Sequence, residues 1–108
     1  MKTLKFSFLF FLSFLFSKPL LANYASISTK FHSEIIVNIA DNDKKREIGL
    51  MFIKKLKKTN GMLFLYPDPQ NVNIWMHNTI LPLDILFINK DNRVVSIKTG
   101  VPFSKDLI

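Results

Sequence analysis

Residues 61–88 read GMLFLYPDPQNVNIWMHNTILPLDILFI. Three apolar runs, a Pro67-Asp68-Pro69 turn and one polar island, His77-Asn78-Thr79, share these 28 residues. Residues 62–66 form a short, fully apolar strand, which Pro67 stops because proline cannot donate to a ladder. Residues 71–77 alternate. Val72, Ile74 and Met76 oppose Asn73, Trp75 and His77, the period-two pattern of a strand with one buried face. Residues 83–88 read as a further strand, 89–92 as a turn and 93–98 as the last strand.

Upstream, residues 34–40 alternate as well, with Ile35, Val37 and Ile39 facing one way and Ile36 and Asn38 the other. Asp41-Asn42-Asp43 is a run of helix N-cap residues, and residues 44–51 read as a short helix. Ile48 and Met51, three apart, would share its inner face, while Gly49 lowers its propensity and permits close packing. Residues 52–59 are basic with apolar Phe52, Ile53 and Leu56, a helix end and loop, and Asn60-Gly61 signals a turn. The expected architecture is α+β: a small antiparallel β-meander of four or five strands, or a partial barrel, with one short helix.

The first 22 residues read as an address. Lys2 and Lys5 make a positive n-region, residues 6–16 are Phe and Leu broken only by Ser7 and Ser13, and Lys18-Pro19 ends the run. That order is a secretory signal peptide, with cleavage after Ala22 and Ala25 as the alternative. A spanning helix needs about 20 apolar residues, more than this run offers. Residues 23–33 are polar, a flexible lead-in with room for one short strand, and residues 34–108 form a single β-rich domain. Lys, Ile, Asn and Phe richness points to AT-rich bacterial coding, so the expected destination is the periplasm or the medium.

Of the 15 basic residues, Lys2, Lys5 and Lys18 leave with the leader, so the mature chain carries 12 against 8 acidic residues, a net charge of +4. The excess sits in Lys44-Lys45-Arg46 and in Lys54, Lys55, Lys57 and Lys58. A solvated helix face and loop accounts for it. Nucleic acid is not expected, because no aromatics interleave the basic run for stacking. The chain has no cysteine, which excludes disulfides, thiol catalysis, Cys-ligated zinc and a lipid-modified N-terminal cysteine. The 86 residues after the leader must therefore be held together by core packing alone.

Six blocks in order carry a resemblance: Arg46-Glu47-Ile48-Gly49-Leu50-Met51, Gly61-Met62-Leu63-Phe64, Pro67-Asp68-Pro69-Gln70, Trp75-Met76-His77-Asn78-Thr79, Leu81-Pro82-Leu83-Asp84 and Arg93-Val94-Val95-Ser96-Ile97. Together they resemble the domain-of-unknown-function family DUF192, small and often exported bacterial and archaeal domains. The resemblance runs from about Ile35 to Pro102. It implies a compact β-rich domain with a small helix and no assigned activity, so it brings no catalytic residues with it. Two departures stand out. The family commonly has Lys where this chain has His77, which exchanges a fixed charge for an imidazole. The family pattern also continues past residues 101–102 with further strands and a Gly-Asp turn. Since this chain stops at Ile108, roughly the last third of the domain is expected to be missing, and a truncated, non-functional copy is one reading.

Trp75, His77, Asn78, Thr79 and Asp84 form the leading candidate site. An indole beside amide, hydroxyl and carboxylate groups suits a sugar or another small polar ligand, by stacking on one side and hydrogen bonding on the other. The competing account makes Trp75 a core residue and Asn78, Thr79 and Asp84 turn-forming groups. A second candidate is Met51, Met62, Met76 and His77, thioethers and an imidazole that could hold Cu(I) in an exported copper-handling protein. Against it, methionines within apolar segments ordinarily fill core gaps. Catalysis has little support. The chain's two histidines are His32 and His77, no serine lies in a nucleophile elbow, and no phosphate loop, dinucleotide fingerprint or zinc spacing occurs. The expectation is a non-enzymatic domain without a cofactor, binding a small polar ligand or an envelope component.

Overall fold

Alternation at residues 35–40 sets the sheet. The computed structural model of the chain describes residues 2–6, 24–28, 30 and 34–108, with backbone alone described at 2–6. Strand β3 (Ile35–Ala40) buries Ile35, Val37 and Ile39 and exposes Ile36, as its period requires. Strand β2 (Tyr24–Ile27), the short strand of the lead-in, pairs with it antiparallel, Ala25 opposite Val37 and Ile27 opposite Ile35. Ala25, the alternative cleavage point, is buried in this pairing. Ser7 to Phe16, Ala22 and His32 lie outside the described residues.

Helix α1 (Asp43–Ile48) starts where the cap run predicts, with the Asn42 side chain accepting the Lys45 N–H at 2.8 Å. It ends earlier than expected. The chain turns left-handed at Gly49 (φ 50°), whose N–H returns to the Lys45 carbonyl at 2.8 Å. The inner face assigned to Ile48 and Met51 is corrected in consequence. α1 has no buried residue, Ile48 is 47% exposed, and Leu50 beyond the helix end is the one that reaches the core.

Strand β4 (Gly61–Phe64) runs parallel to β3, Val37 beside Gly61 and Ala40 beside Phe64. The expectation of a purely antiparallel meander is thereby overturned. α1 and the loop after it carry the chain back to the starting end of β3, the connection a parallel pair needs. Strands β5 (Leu83–Ile88) and β6 (Val94–Gly100) form a hairpin, its turn held by the Asn89 side chain, which accepts from the backbone of Asp91 and Arg93. Strand β1 (Lys2–Phe6), within the expected leader, pairs antiparallel with both β4 and β5; Leu4 is in register with Leu63 on one side and Leu86 on the other. It joins two small sheets, β2-β3-β4 and β5-β6, into the order β2-β3-β4-β1-β5-β6, six strands among the described residues where four or five were expected.

Ala25, Ile27, Ile35, Val37 and Leu63 share one core cluster with Leu86 and Ile88. In a flat sheet β2 and β5 would lie about 19 Å apart at ~4.8 Å per strand. The cluster spans that distance through Ile35 and Val37 of β3 and Leu63 of β4, which lie between the two strands in the sheet order. The second cluster covers the other face of β5, where Leu83, Ile85 and Phe87 meet Leu50, Ile74 and Met76.

Residues 71–77 keep the predicted alternation, Ile74 and Met76 buried and Trp75 outward, but they do not form a strand of the sheet. Their partners are in residues 104–108: Ile74 and Ile108 exchange backbone bonds (3.4 and 2.8 Å), and Met76 N–H donates to the Ser104 carbonyl at 2.9 Å.

Candidate functional site

The extended run 71–77 ends in a turn that sets the candidate residues. Thr79 N–H closes it on the Met76 carbonyl at 3.0 Å, and Asn78 takes a left-handed conformation (φ 53°) that asparagine tolerates better than most residues. The Thr79 side chain is buried, and its hydroxyl donates to the His77 carbonyl at 3.2 Å. Trp75 and His77 point the same way, their ring centroids 4.8 Å apart and inclined by 41°. Asn78 Nδ2 lies 3.2 Å from His77 Nε2.

Trp75 is 43% exposed and stands on the rim of a cavity of about 280 Å³. Arg46, Glu47, Tyr66, Asn73 and Thr79 line the same cavity. α1 presents Arg46 and Glu47 to it, β4 contributes Phe64, and Tyr66 follows two residues after the strand ends. Arg46 is pinned. Its guanidinium donates to the Leu65 carbonyl and to Asp43 Oδ1 (2.8 Å) and sits 4.9 Å from the centre of the Tyr66 ring. Only 13% of that side chain is exposed. Two of its five N–H donors are committed in these bonds, so the cavity holds a positioned cation with donor capacity left over.

Of the residues singled out from the sequence, Trp75 and Thr79 line this cavity, while His77 and Asn78 belong to the turn beside it. Asp84 lies elsewhere. Leu83 and Ile85 on either side of it pack with Ile74 and Met76, so Asp84 falls in the alternate set with Leu86 and Ile88, on the other face of β5. Met51 lines the Trp75 cavity, Met62 lines a second cavity, and Met76 is fully buried against Ile85 and Gly100. Neither cavity collects three of the four proposed copper ligands. Among the described residues no three His, Cys, Asp or Glu side chains gather in a way that could hold a metal ion.

Arg46, Glu47, Tyr66 and Asn73 were not singled out from the sequence. Charges on a short helix read as solvated, and only folding brings that helix beside Leu65 and Tyr66. The signal available was the position of Arg46-Glu47 at the head of the first resembling block and of Tyr66 directly before the Pro-Asp-Pro turn.

A β-sheet, one short capped helix among the described residues and a cavity lined by Trp75 and by both polar and apolar side chains define a small β-rich domain. The chain belongs to the DUF192 family, described as uncharacterized ACR, whose family model matches residues 25–107. Two solved structures are similar to it. One is a protein of unknown function from Novosphingobium aromaticivorans DSM 12444, 25% identical, with a TM-score of 0.67, covering 89% of this chain and 73% of that one. The other, from Sinorhizobium meliloti 1021, is described as a candidate transcription regulator; it is 29% identical, with a TM-score of 0.69, covering 100% of this chain and 70% of that one. No curated protein matches the sequence.

Proposed function

We propose that this domain binds a small polar ligand, a saccharide or similar polyol, in the cavity between α1 and Trp75. The carrying observation is the half-exposed Trp75 indole at the rim of a cavity that also holds Arg46, Glu47, Tyr66 and Asn73. An indole face stacks on the C–H face of a sugar ring. Arg46 supplies donors, Glu47 acceptors, and Asn73 and Tyr66 both, which is the mixed lining a ring of hydroxyls needs. The volume, about 280 Å³, is at the small end of ligand sites and suits one or two sugar rings rather than a polymer. A leader cleaved after Ala22 would bring residues 23–108 to the periplasm without β1, where cell-envelope saccharides are the first candidates.

The test is a titration with cell-wall mono- and disaccharides, followed by the fluorescence of Trp75, the chain's single tryptophan. Binding shifts and enhances the emission, and Glu47→Gln weakens the response about tenfold by removing a charged acceptor. A flat response across the panel overturns the proposal.

A further inference from the structure

Phe52 and Phe103 adopt a conformation that bulky residues seldom take. Both lie in the left-handed region, at φ 63° and 64°. Both are held there by the same turn. Phe52 N–H donates to the Asn78 carbonyl at 2.9 Å and Phe103 N–H to the Thr79 carbonyl at 3.1 Å. Neither ring gains burial by it, since Phe52 is 69% and Phe103 60% exposed. The fold thus spends backbone strain to hold two exposed phenylalanines on adjacent carbonyls of one turn, and strain of that kind gathers at functional sites.

Phe52 opens the run Phe52-Ile53-Lys54-Lys55-Leu56-Lys57-Lys58, with four lysines and no acidic residue anywhere between Glu47 and Asp68. All four lysines are exposed, and among the described residues none has an ion-pair partner. Behind them lies the second cavity, about 400 Å³, whose lining includes Tyr24, Leu50, Ile53 and Leu56 together with Lys55 and Lys58.

We propose that this face, the Phe52–Lys58 run with Phe103 beside it, docks on an anionic lipid bilayer. Exposed aromatic and aliphatic side chains flanked by unpaired cations are what the headgroup layer accepts. The cations are all lysines. Planar bidentate recognition of carboxylates or phosphates on a folded partner favours arginine, whereas a lysine is a hydrated point charge suited to the diffuse field of many lipid headgroups. No helix among the described residues is long and apolar enough to cross a membrane. The site is separate from the Trp75 cavity and does not depend on the ligand proposed for it.

The experiment is vesicle flotation of the full chain, comparing phosphatidylcholine vesicles with vesicles holding about 30 per cent phosphatidylglycerol. The apolar run of residues 6–16 would bind both kinds alike, so the readout is their ratio. Preference for the anionic vesicles of about a hundredfold is expected, collapsing as salt rises from about 0.1 to 0.5 M. Replacing Lys54, Lys55, Lys57 and Lys58 together by Gln should abolish the preference. Phe52→Gly suits the left-handed backbone, so its amide spectrum stays dispersed while anionic binding weakens about tenfold. Equal binding to both vesicles, or a lysine variant that binds like the parent, overturns the proposal. So does binding to soluble polyglutamate as tight as to the vesicles, which would make an acidic protein the partner.

Discussion

Gly100 closes β6 against Leu83 of β5, and it is a glycine for reasons of space. A Cβ built there would lie 2.6 Å from Met76 Sδ and 3.1 Å from both Met76 Cε and Ile85 Cδ1. Met76 and Ile85 are fully buried, so neither has a free direction in which to yield. Overpacking by one methyl in such a core costs ~1–3 kcal/mol. Part is offset, by about 0.4–1 kcal/mol, because alanine has less freedom to lose from the unfolded chain. Gly100→Ala is therefore expected to destabilise by about 1.5 kcal/mol net, a fall in melting temperature of roughly 6–12 °C for a domain of this size. Urea unfolding followed by Trp75 fluorescence and far-ultraviolet circular dichroism measures it. The clash makes a further demand. Met76→Ala alone should cost ~2–5 kcal/mol by leaving a cavity. In the Gly100→Ala background the new methyl occupies part of that space, so the double variant should be more stable than the sum of the singles by about 1 kcal/mol or more. A Gly100→Ala protein as stable as the parent, or strict additivity with Met76→Ala, would refute this account of how β6 packs on residues 74–76.

Other expectations follow from the same geometry. Asn42→Ala removes the cap of a six-residue helix and should cost about 1 kcal/mol in urea unfolding, with the largest chemical-shift changes at Arg46 and Glu47. At Phe52 (φ 63°), Asn should be tolerated better than Val by about 1–2 kcal/mol, and equal stabilities would contradict the strained backbone there. Leu4→Pro places a residue without an N–H in the strand between β4 and β5; amide exchange should then accelerate across Gly61–Phe64 and Leu83–Ile88, and unchanged protection would count against β1 as part of the sheet.

The alternation of apolar residues made β3 legible almost to the residue, because burial on one face is a period-two property of the chain itself; β5, buried on both faces, was legible as a short apolar run. The same signal at residues 71–77 reported correctly which side chains are buried, yet it could not report the pairing partner. That partner proved to be Ser104 and Ile108, in a segment with no strand pattern of its own. The parallel pairing of β3 and β4 was within reach, since a capped helix between two strands is the usual sign of a crossover. Lys2–Phe6 shows how one string of residues supports two readings. Its lysines fit the n-region of a leader, while Lys-Thr-Leu-Lys-Phe also suits a short strand, and the structure places it in the sheet. In the candidate site, Trp75 and Thr79 were legible because an indole and a hydroxyl near a turn advertise binding chemistry. Arg46 and Glu47 were not, because their place at the cavity depends on how α1 meets Leu65 and Tyr66.

The central claim, that the cavity between α1 and Trp75 receives a polar ligand, is tested most directly by the indole N–H resonance of Trp75, the only indole in the chain, during titration with envelope saccharides. The account predicts that this resonance and the amides of Arg46, Glu47 and Thr79 move together and saturate at one concentration. A resonance that stays fixed while the rest of the spectrum stays dispersed would contradict it.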